Sequence, residues 1–206
     1  MSYYLKQHLS HRASLPVQLL NLIKPKDTIL DIGCGNGSLK KIFPHHRLSG
    51  VDILPDSITM ALRAGYTQAK LANLDKDKLP FKHSSFDVII CRQVLEHLLF
   101  PLKATLEMCR VLKPRGILFV SVPTRKNRKF YDDYTHIRPF TYHSLEILLC
   151  DAGFTNLKFV HQFKGIPGLG LLEKFLSLNA DTIKSKLAEQ VHWFRQLANI
   201  EVIARK

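Results

Sequence analysis

Long uncharged apolar runs are missing from this 206-residue chain. None reaches the ~18–20 residues of a membrane-spanning helix, so no spanning segment is expected. The opening residues, Met1-Ser-Tyr-Tyr-Leu-Lys-Gln-His, lack the apolar segment of a secretory signal, and a cytoplasmic location is expected. Cysteine is scarce: four residues, Cys34, Cys91, Cys109 and Cys150, none in a Cys-x-x-Cys pair. That spacing excludes a disulfide framework and a zinc ribbon, and reads as thiols buried in a core. The ten histidines show no His-x-x-x-His or other ligand spacing, so no metal is expected. Acidic residues are few, 17 against 30 basic, for a net charge of +13. That excess favours an anionic partner, such as nucleic acid, an acidic membrane face or a phosphorylated small molecule. Most cations are dispersed; Arg125-Lys126-Asn127-Arg128-Lys129 is the one cluster. Repeats and low-complexity tracts are absent as well.

What is present is an ordinary globular composition, 46% hydrophobic and 23% charged. The length suits one core, read as a single domain over 1–206. Its central signal is Thr28-Ile-Leu-Asp31-Ile-Gly33-Cys-Gly35-Asn-Gly37-Ser-Leu. A β-rich run leads into three glycines, and a helical pattern follows over 38–43. Glycines permit positive φ and let a ligand lie on the backbone, while a following helix start would offer N–H groups to an anion. A second apolar run closes on Asp52, about 20 residues further on, where a ribose-binding acid is placed in dinucleotide folds. Further strands are expected over 68–74, 86–91, 117–122, 155–163 and 200–204, and helices over 55–65, 101–112 and 141–153. Residues 1–24 read as a helical lead and 164–198 as an apolar helical insert. Strands alternating with helices predict a parallel, doubly wound α/β sheet.

Five separated segments then fall in one order. They are Asp31-Ile-Gly33-Cys-Gly35-Asn-Gly37, Gly50-Val-Asp52-Ile, Asp75-Lys-Asp-Lys-Leu79-Pro80-Phe81, Ser85-Phe86-Asp87-Val-Ile-Ile and Arg110-Val-Leu-Lys113-Pro114-Arg-Gly116. Together they resemble the class I S-adenosylmethionine-dependent methyltransferases, in the group that includes ubiquinone and menaquinone biosynthesis enzymes. The resemblance spans about residues 25–160. It implies a Rossmann-like seven-stranded, mostly parallel sheet of order 3-2-1-4-5-7-6, strand 7 antiparallel, with helices on both faces. It implies S-adenosylmethionine as cofactor. Asp31 and the Gly33, Gly35 and Gly37 backbone would take its amino-acid end, and Asp52 its ribose. Ile53, Leu74, Asp75 and the Lys76 backbone would take its adenine, and Arg92 and Gln93 its methionine portion.

The acceptor side is read from the long stretch 123–139. An oxygen nucleophile needs a base near neutral pH, and His136 suits that task. Arg138 and Tyr134 are candidates for holding substrate. His97 belongs to a Glu-His pair expected to orient the cleft. The function expected is methyl transfer to a small-molecule, glycan or lipid-linked acceptor, on oxygen. Two alternatives stand beside it. An RNA methyltransferase suits the charge, but the segment Cys91-Arg-Gln-Val lacks the Asn/Asp-Pro-Pro-aromatic signature of enzymes that methylate base amines. The other is a non-catalytic binding module. Residues 166–178, apolar among basic neighbours, suggest a peripheral membrane contact, a lid or a dimer contact.

Overall fold

The computed structural model describes residues 15–124, 128–160 and 199–206, and of residues 128 and 129 the backbone alone. These run as α1 (Val17–Leu20), β1 (Thr28–Ile32), a 3-10 turn (Ser38–Lys41), β2 (Arg47–Asp52), α2 (Pro55–Arg63) and β3 (Gln68–Leu71). Next come β4 (Phe86–Arg92), a 3-10 turn (Leu95–His97), α3 (Pro101–Val111) and β5 (Leu112–Pro123). A third 3-10 turn (Arg128–Asp132), α4 (Tyr142–Asp151), β6 (Thr155–Val160) and β7 (Asn199–Arg205) complete them. Seven strands form one sheet in the order β3-β2-β1-β4-β5-β7-β6. Neighbours from β3 to β5 pair in parallel, and β7 runs antiparallel to both β5 and β6. This is the topology the resemblance implied.

The alternation of the central strands explains the two layers. Successive side chains point to opposite faces, and in β1 and β4 both faces are apolar. Leu30, Ile32, Ile89 and Cys91 face α3 and α4, meeting Ala104, Met108, Leu145 and Leu149. Ile29, Val88 and Ile90 face the other way, toward Leu19, Leu39, Ala61 and Tyr66. Each such large side chain contributes roughly 1.5–3 kcal/mol on burial. Asp31 lies on the second face, in register with Ile29, so its carboxylate enters an otherwise apolar layer.

Local signals set the helix starts. α2 and α3 both begin on proline, whose missing N–H costs nothing in the first turn. α4 starts with a reciprocal cap, Thr141 Oγ1 accepting from the Ser144 N–H and Ser144 Oγ from the Thr141 N–H. At the amino-terminal strand ends, Asp87 accepts the N–H and hydroxyl of Thr28 and the ammonium of Lys113, which joins β1, β4 and β5.

Several expected boundaries move. The helix expected over 38–43 is a four-residue 3-10 turn, closed early by proline at position 44. β3 stops at Leu71, and the Ala72 N–H makes the last bond of its ladder, to the Asp52 carbonyl. β5 begins at Leu112, directly on α3, with Arg115 at φ 62 within it. Of the helical lead, Val17–Leu20 is helical, and residues 1–14 lie outside the described residues. The insert 164–198, with its proposed contact segment 166–178, also lies outside them, as do positions 125–127 of the basic cluster and 161–163 of the sixth strand. Among the described residues no helix is long and apolar enough to cross a membrane.

Gly50 sits where β2 passes under the glycine turn. A Cβ there would stand 2.8 Å from both Cβ and Sγ of Cys34 and 3.2 Å from the Tyr66 ring. Gly50→Ala should cost about 1–3 kcal/mol through overpacking, read as a lowered urea midpoint. An unchanged midpoint would show that the turn above it is free to shift.

Candidate active site

The site begins where β1 runs out. The Gly33 and Cys34 N–H groups both donate to the Val51 carbonyl, at 2.9 and 3.0 Å. The chain then peels off the sheet with Gly33, Gly35 and Gly37 at φ 73, 49 and 73. At Gly37 a side chain has no room, since a Cβ would lie 2.7 Å from the Ala64 methyl at the end of α2. The Gly35 N–H donates to Asp52 Oδ2 and the Leu54 N–H to Asp52 Oδ1, both at 2.9 Å. The Gly37 N–H donates to the Cys34 carbonyl and the Ser38 N–H to Asn36 Oδ1. Five turn donors that the sequence made available to an anion are therefore taken up within the chain. The two carboxylates beside them, Asp31 and Asp52, give this end of the cleft its acidic character.

A cleft of 320 Å³ opens over the carboxyl ends of β1, β2 and β4. Asp31, Gly33, Gly35, Asp52, Ile53, Leu74, Asp75, Arg92 and Gln93 line it. Gly37 and Lys76 stand outside its lining. Gly37 lets α2 approach, while the Lys76 N–H donates to Asn73 and its carbonyl accepts from Lys103. Asp75 accepts the Phe100 N–H with Oδ1 at 2.9 Å, which ties the cleft wall to the start of α3. Gln93 adopts φ 53, with its N–H and its amide Nε2 both on the Ser121 carbonyl at 2.8 and 3.3 Å. A left-handed non-glycine backbone costs about 1–2 kcal/mol. Here it turns β4 abruptly and aims the next residues along the cleft.

Asp31 is buried, and its Oδ2 accepts the Tyr66 hydroxyl at 2.6 Å. Burial pushes its pKa up to about 7, against the lowering pull of the Tyr66 bond and the Arg92 charge; Asp52 adds to the rise. It is thus poised to ionise fully when a cation arrives beside it. Tyr66 escaped the sequence reading. Its one signal is its place directly after Gly65, the C-terminal stop of α2, which swings the ring under the glycine turn.

The other wall is built by the stretch 133–138. The Ile137 and Arg138 N–H groups both donate to the Glu96 carbonyl at 3.0 Å. Thr135 and His97 line the cleft, whereas His136, Arg138 and Tyr134 do not. His136 packs against the rings of Phe130 and His97, at 4.9 and 4.6 Å. Its Nδ1 lies 2.7 Å from the Phe130 carbonyl. A carbonyl can only accept, so Nδ1 carries the proton and Nε2 the lone pair. Arg138 reaches the Leu99 carbonyl with Nη2 at 3.3 Å, and Tyr134 is 86% exposed. Glu96 is fully buried, and neither of its carboxylate oxygens has a hydrogen-bond partner. Burial raises its pKa to about 8. Glu96, His97 and His136 each bring a donor atom within 4.8 Å of the others. No spacing in the sequence foretells that group, because the fold returns position 136 to the pair at 96 and 97.

The family model described as "Methyltransferase domain" matches residues 4–158. A ubiquinone biosynthesis O-methyltransferase of Rickettsia prowazekii is 29% identical over 112 residues, 50% of this chain and 42% of that protein. The probable tRNA methyltransferase 9B of Homo sapiens is 34% identical over 118 residues, 55% of this chain and 25% of that protein. The chain spans about half or less of the length of such curated relatives. Among solved structures, a SAM dependent methyltransferase from Archaeoglobus fulgidus superposes with TM-score 0.70 at 18% identity, covering 100% of both chains.

The buried acid yields a pH test. Folded Asp31 keeps its proton to about pH 7, whereas an unfolded aspartate releases it near pH 4. The stability this proton contributes is complete below about pH 4 and is lost as pH rises through 7. Asp31→Asn keeps the neutral form throughout. Its stability minus that of the wild type should therefore grow from pH 5 to 7, by at most ~1.4 kcal/mol per unit, and level off above. A difference that stays flat in urea melts would mean an ordinary carboxyl.

Proposed function

The chain belongs to the methyltransferase domain family, and on that premise we propose that it moves the methyl group of S-adenosylmethionine onto an acceptor oxygen. The observation that carries the reading is the 320 Å³ cleft at the strand ends with Asp31 on its floor and Asp52 on its wall. Its volume lies at the lower end of the range for small-molecule sites. When bound, the cofactor supplies a methyl carbon on a positively charged sulfur, which departs as a neutral thioether. The chain's part is position and field.

In this reading Asp31 meets the cofactor's ammonium, and ionises because that cation replaces the water its burial removed. Asp52 has oxygen lone pairs left after its two backbone bonds, and these accept the ribose hydroxyls. Ile53 and Leu74 provide the apolar slot for adenine, with Asp75 at its edge. Methylating an oxygen also requires that a proton leave the acceptor. Glu96, His97 and His136 converge at one side of the cleft, with His97 on its surface and the other two behind it, and His136 is the residue whose loss should stop turnover. The acceptor is a small molecule, glycan or lipid-linked compound. An apolar rim beyond the cleft lining supports an amphipathic one: Leu99 and Phe100, just after His97, Ile137, just after His136, and Tyr131, beside Phe130, are each about half or more exposed. Arg138 suits an acidic group on it. The membrane contact proposed for 166–178 fits the same acceptor class.

A second reading, RNA as acceptor, draws support from the +13 charge and from the tRNA methyltransferase name carried by one relative. It predicts RNA binding that weakens steeply with salt.

Asp52→Ala should weaken S-adenosylmethionine binding by at least ~30-fold in calorimetry, the loss of a charge-assisted pair of hydrogen bonds. Near-normal affinity would remove Asp52 from the ribose. His136→Ala should keep cofactor affinity and lower methyl transfer by at least ~100-fold, the ordinary scale for proton-transfer groups. The acceptor is found by tritiated-methyl transfer to extracts separated into lipid, glycan, RNA and small-molecule pools. Label in the RNA pool alone would overturn the oxygen-acceptor reading.

A further inference from the structure

We propose that Glu96, His97 and His136 form a divalent metal site of the zinc class at the acceptor lip of the cleft. The reading deepens the proposed methyl transfer, but its geometry stands apart from the cofactor wall. The first observation is the carboxylate. Glu96 is fully buried, and both of its oxygens lack a hydrogen-bond partner. A carboxylate in that condition is costly unless a cation or a proton joins it. Among the described residues no lysine or arginine forms an ion pair with it, and two imidazoles each bring a donor atom within 4.8 Å of it.

The second observation is how those imidazoles are held. His136 gives its Nδ1 proton to the Phe130 carbonyl at 2.7 Å. His97 Nδ1 lies 3.2 Å from the Thr135 carbonyl and 2.9 Å from Thr135 Oγ1. Thr135 Oγ1 itself donates to Asp133 Oδ1 at 2.6 Å, so it accepts from His97. In each ring the proton is therefore on Nδ1 and the lone pair on Nε2. Metal-ligating histidines are oriented in just this manner, by a backbone carbonyl on the far nitrogen. Asp133 also stands 3.8 Å from His136 Nε2, a further negative charge beside the cluster.

Two imidazoles and one carboxylate are a known catalytic zinc set, with the fourth position open. Ligands about 2.0–2.2 Å from one ion lie ~3–4 Å apart, so the donors need only draw together by about an ångström. His97 and Thr135 line the cleft, which turns the open position toward the acceptor. An acceptor hydroxyl taking that position would become more acidic, as metal-bound water does. It would release its proton to solvent without a protein base. His136 then acts as a ligand, and its loss stops turnover for that reason.

The test uses the full chain, stripped with a chelator and titrated with ZnCl2 by calorimetry. One equivalent per chain is expected. Glu96→Gln and His136→Ala should each weaken it at least ~100-fold while binding S-adenosylmethionine like the wild type, which also shows that they are folded. Should neither variant fold, Co2+ added to the wild type should give the visible bands of a tetrahedral N/O site, removed by Zn2+. Absence of stoichiometric zinc, equal zinc binding by both folded variants, or absence of those bands would overturn the proposal. Because cofactor affinity is read separately, a wild type that binds zinc but no S-adenosylmethionine sinks the methyl-transfer reading and leaves the metal site standing.

Discussion

Two N–H groups share one carbonyl at the tip of β1, and the cleft follows from that. Because Val51 accepts from both Gly33 and Cys34, β1 cannot extend further beside β2. The next residue of β2 is Asp52, and its carboxylate clamps the turn again at Gly35. The turn is thus stapled twice to the neighbouring strand, with Cys34 tucked against Gly50 beneath it. Three glycines are required because the backbone must reverse with positive φ and still admit α2. The staples also explain why the donors are engaged. The turn forms a wall of the cleft, and in the proposed function recognition falls to the acids beside it.

Burial raises the pKa of both buried acids, but their surroundings differ. Asp31 has a phenol hydroxyl on one oxygen and the Arg92 charge nearby, so its negative form has support before any ligand arrives. Glu96 has neither, and its near neighbours include another carboxylate, Asp133. One acid is tuned to neutrality and can take up a single cationic ligand group as it binds. The other has both oxygens buried without a hydrogen-bond partner among the described residues. In the proposed function, these two acids would divide the tasks of holding a cofactor and of activating an acceptor.

This division also explains what could be read from the sequence. The strand-end wall of the cleft was legible because its residues are local: a strand, a glycine turn, and an acid one strand later, at spacings the backbone geometry dictates. The seven-stranded order was implied by the family that five such segments resemble. Tyr66 was not legible, since its role arises from a ring passing under a turn 30 residues earlier. Glu96 looked like an orienting neighbour of His97; its isolation appears only once β4, α3 and the 133–138 stretch close around it. His136 was singled out for its chemistry, yet it stands behind His97 and not on the cleft surface. The 3-10 turn at Ser38–Lys41 replaced a helix because Pro44 and the early reversal into β2 leave no length for one.

The acceptor must satisfy two surfaces of different physics. The net charge of +13 acts at a distance, but in physiological salt it is screened over about 8 Å, so it steers arrival more than it holds. The rim of Leu99, Phe100, Tyr131 and Ile137 acts on contact, at roughly 25 cal/mol for each Å² of apolar surface covered, and is not weakened by screening. Arg138 is fastened to that rim by its bond to Leu99, which sets a cation beside the apolar side chains. A polyanion would engage dispersed charge and leave the rim wet. An acceptor with one acidic group on an apolar body would cover the rim and meet Arg138 together, and so obtain both contributions. Under the proposed function, these magnitudes would weight an amphipathic acceptor above a polyanion.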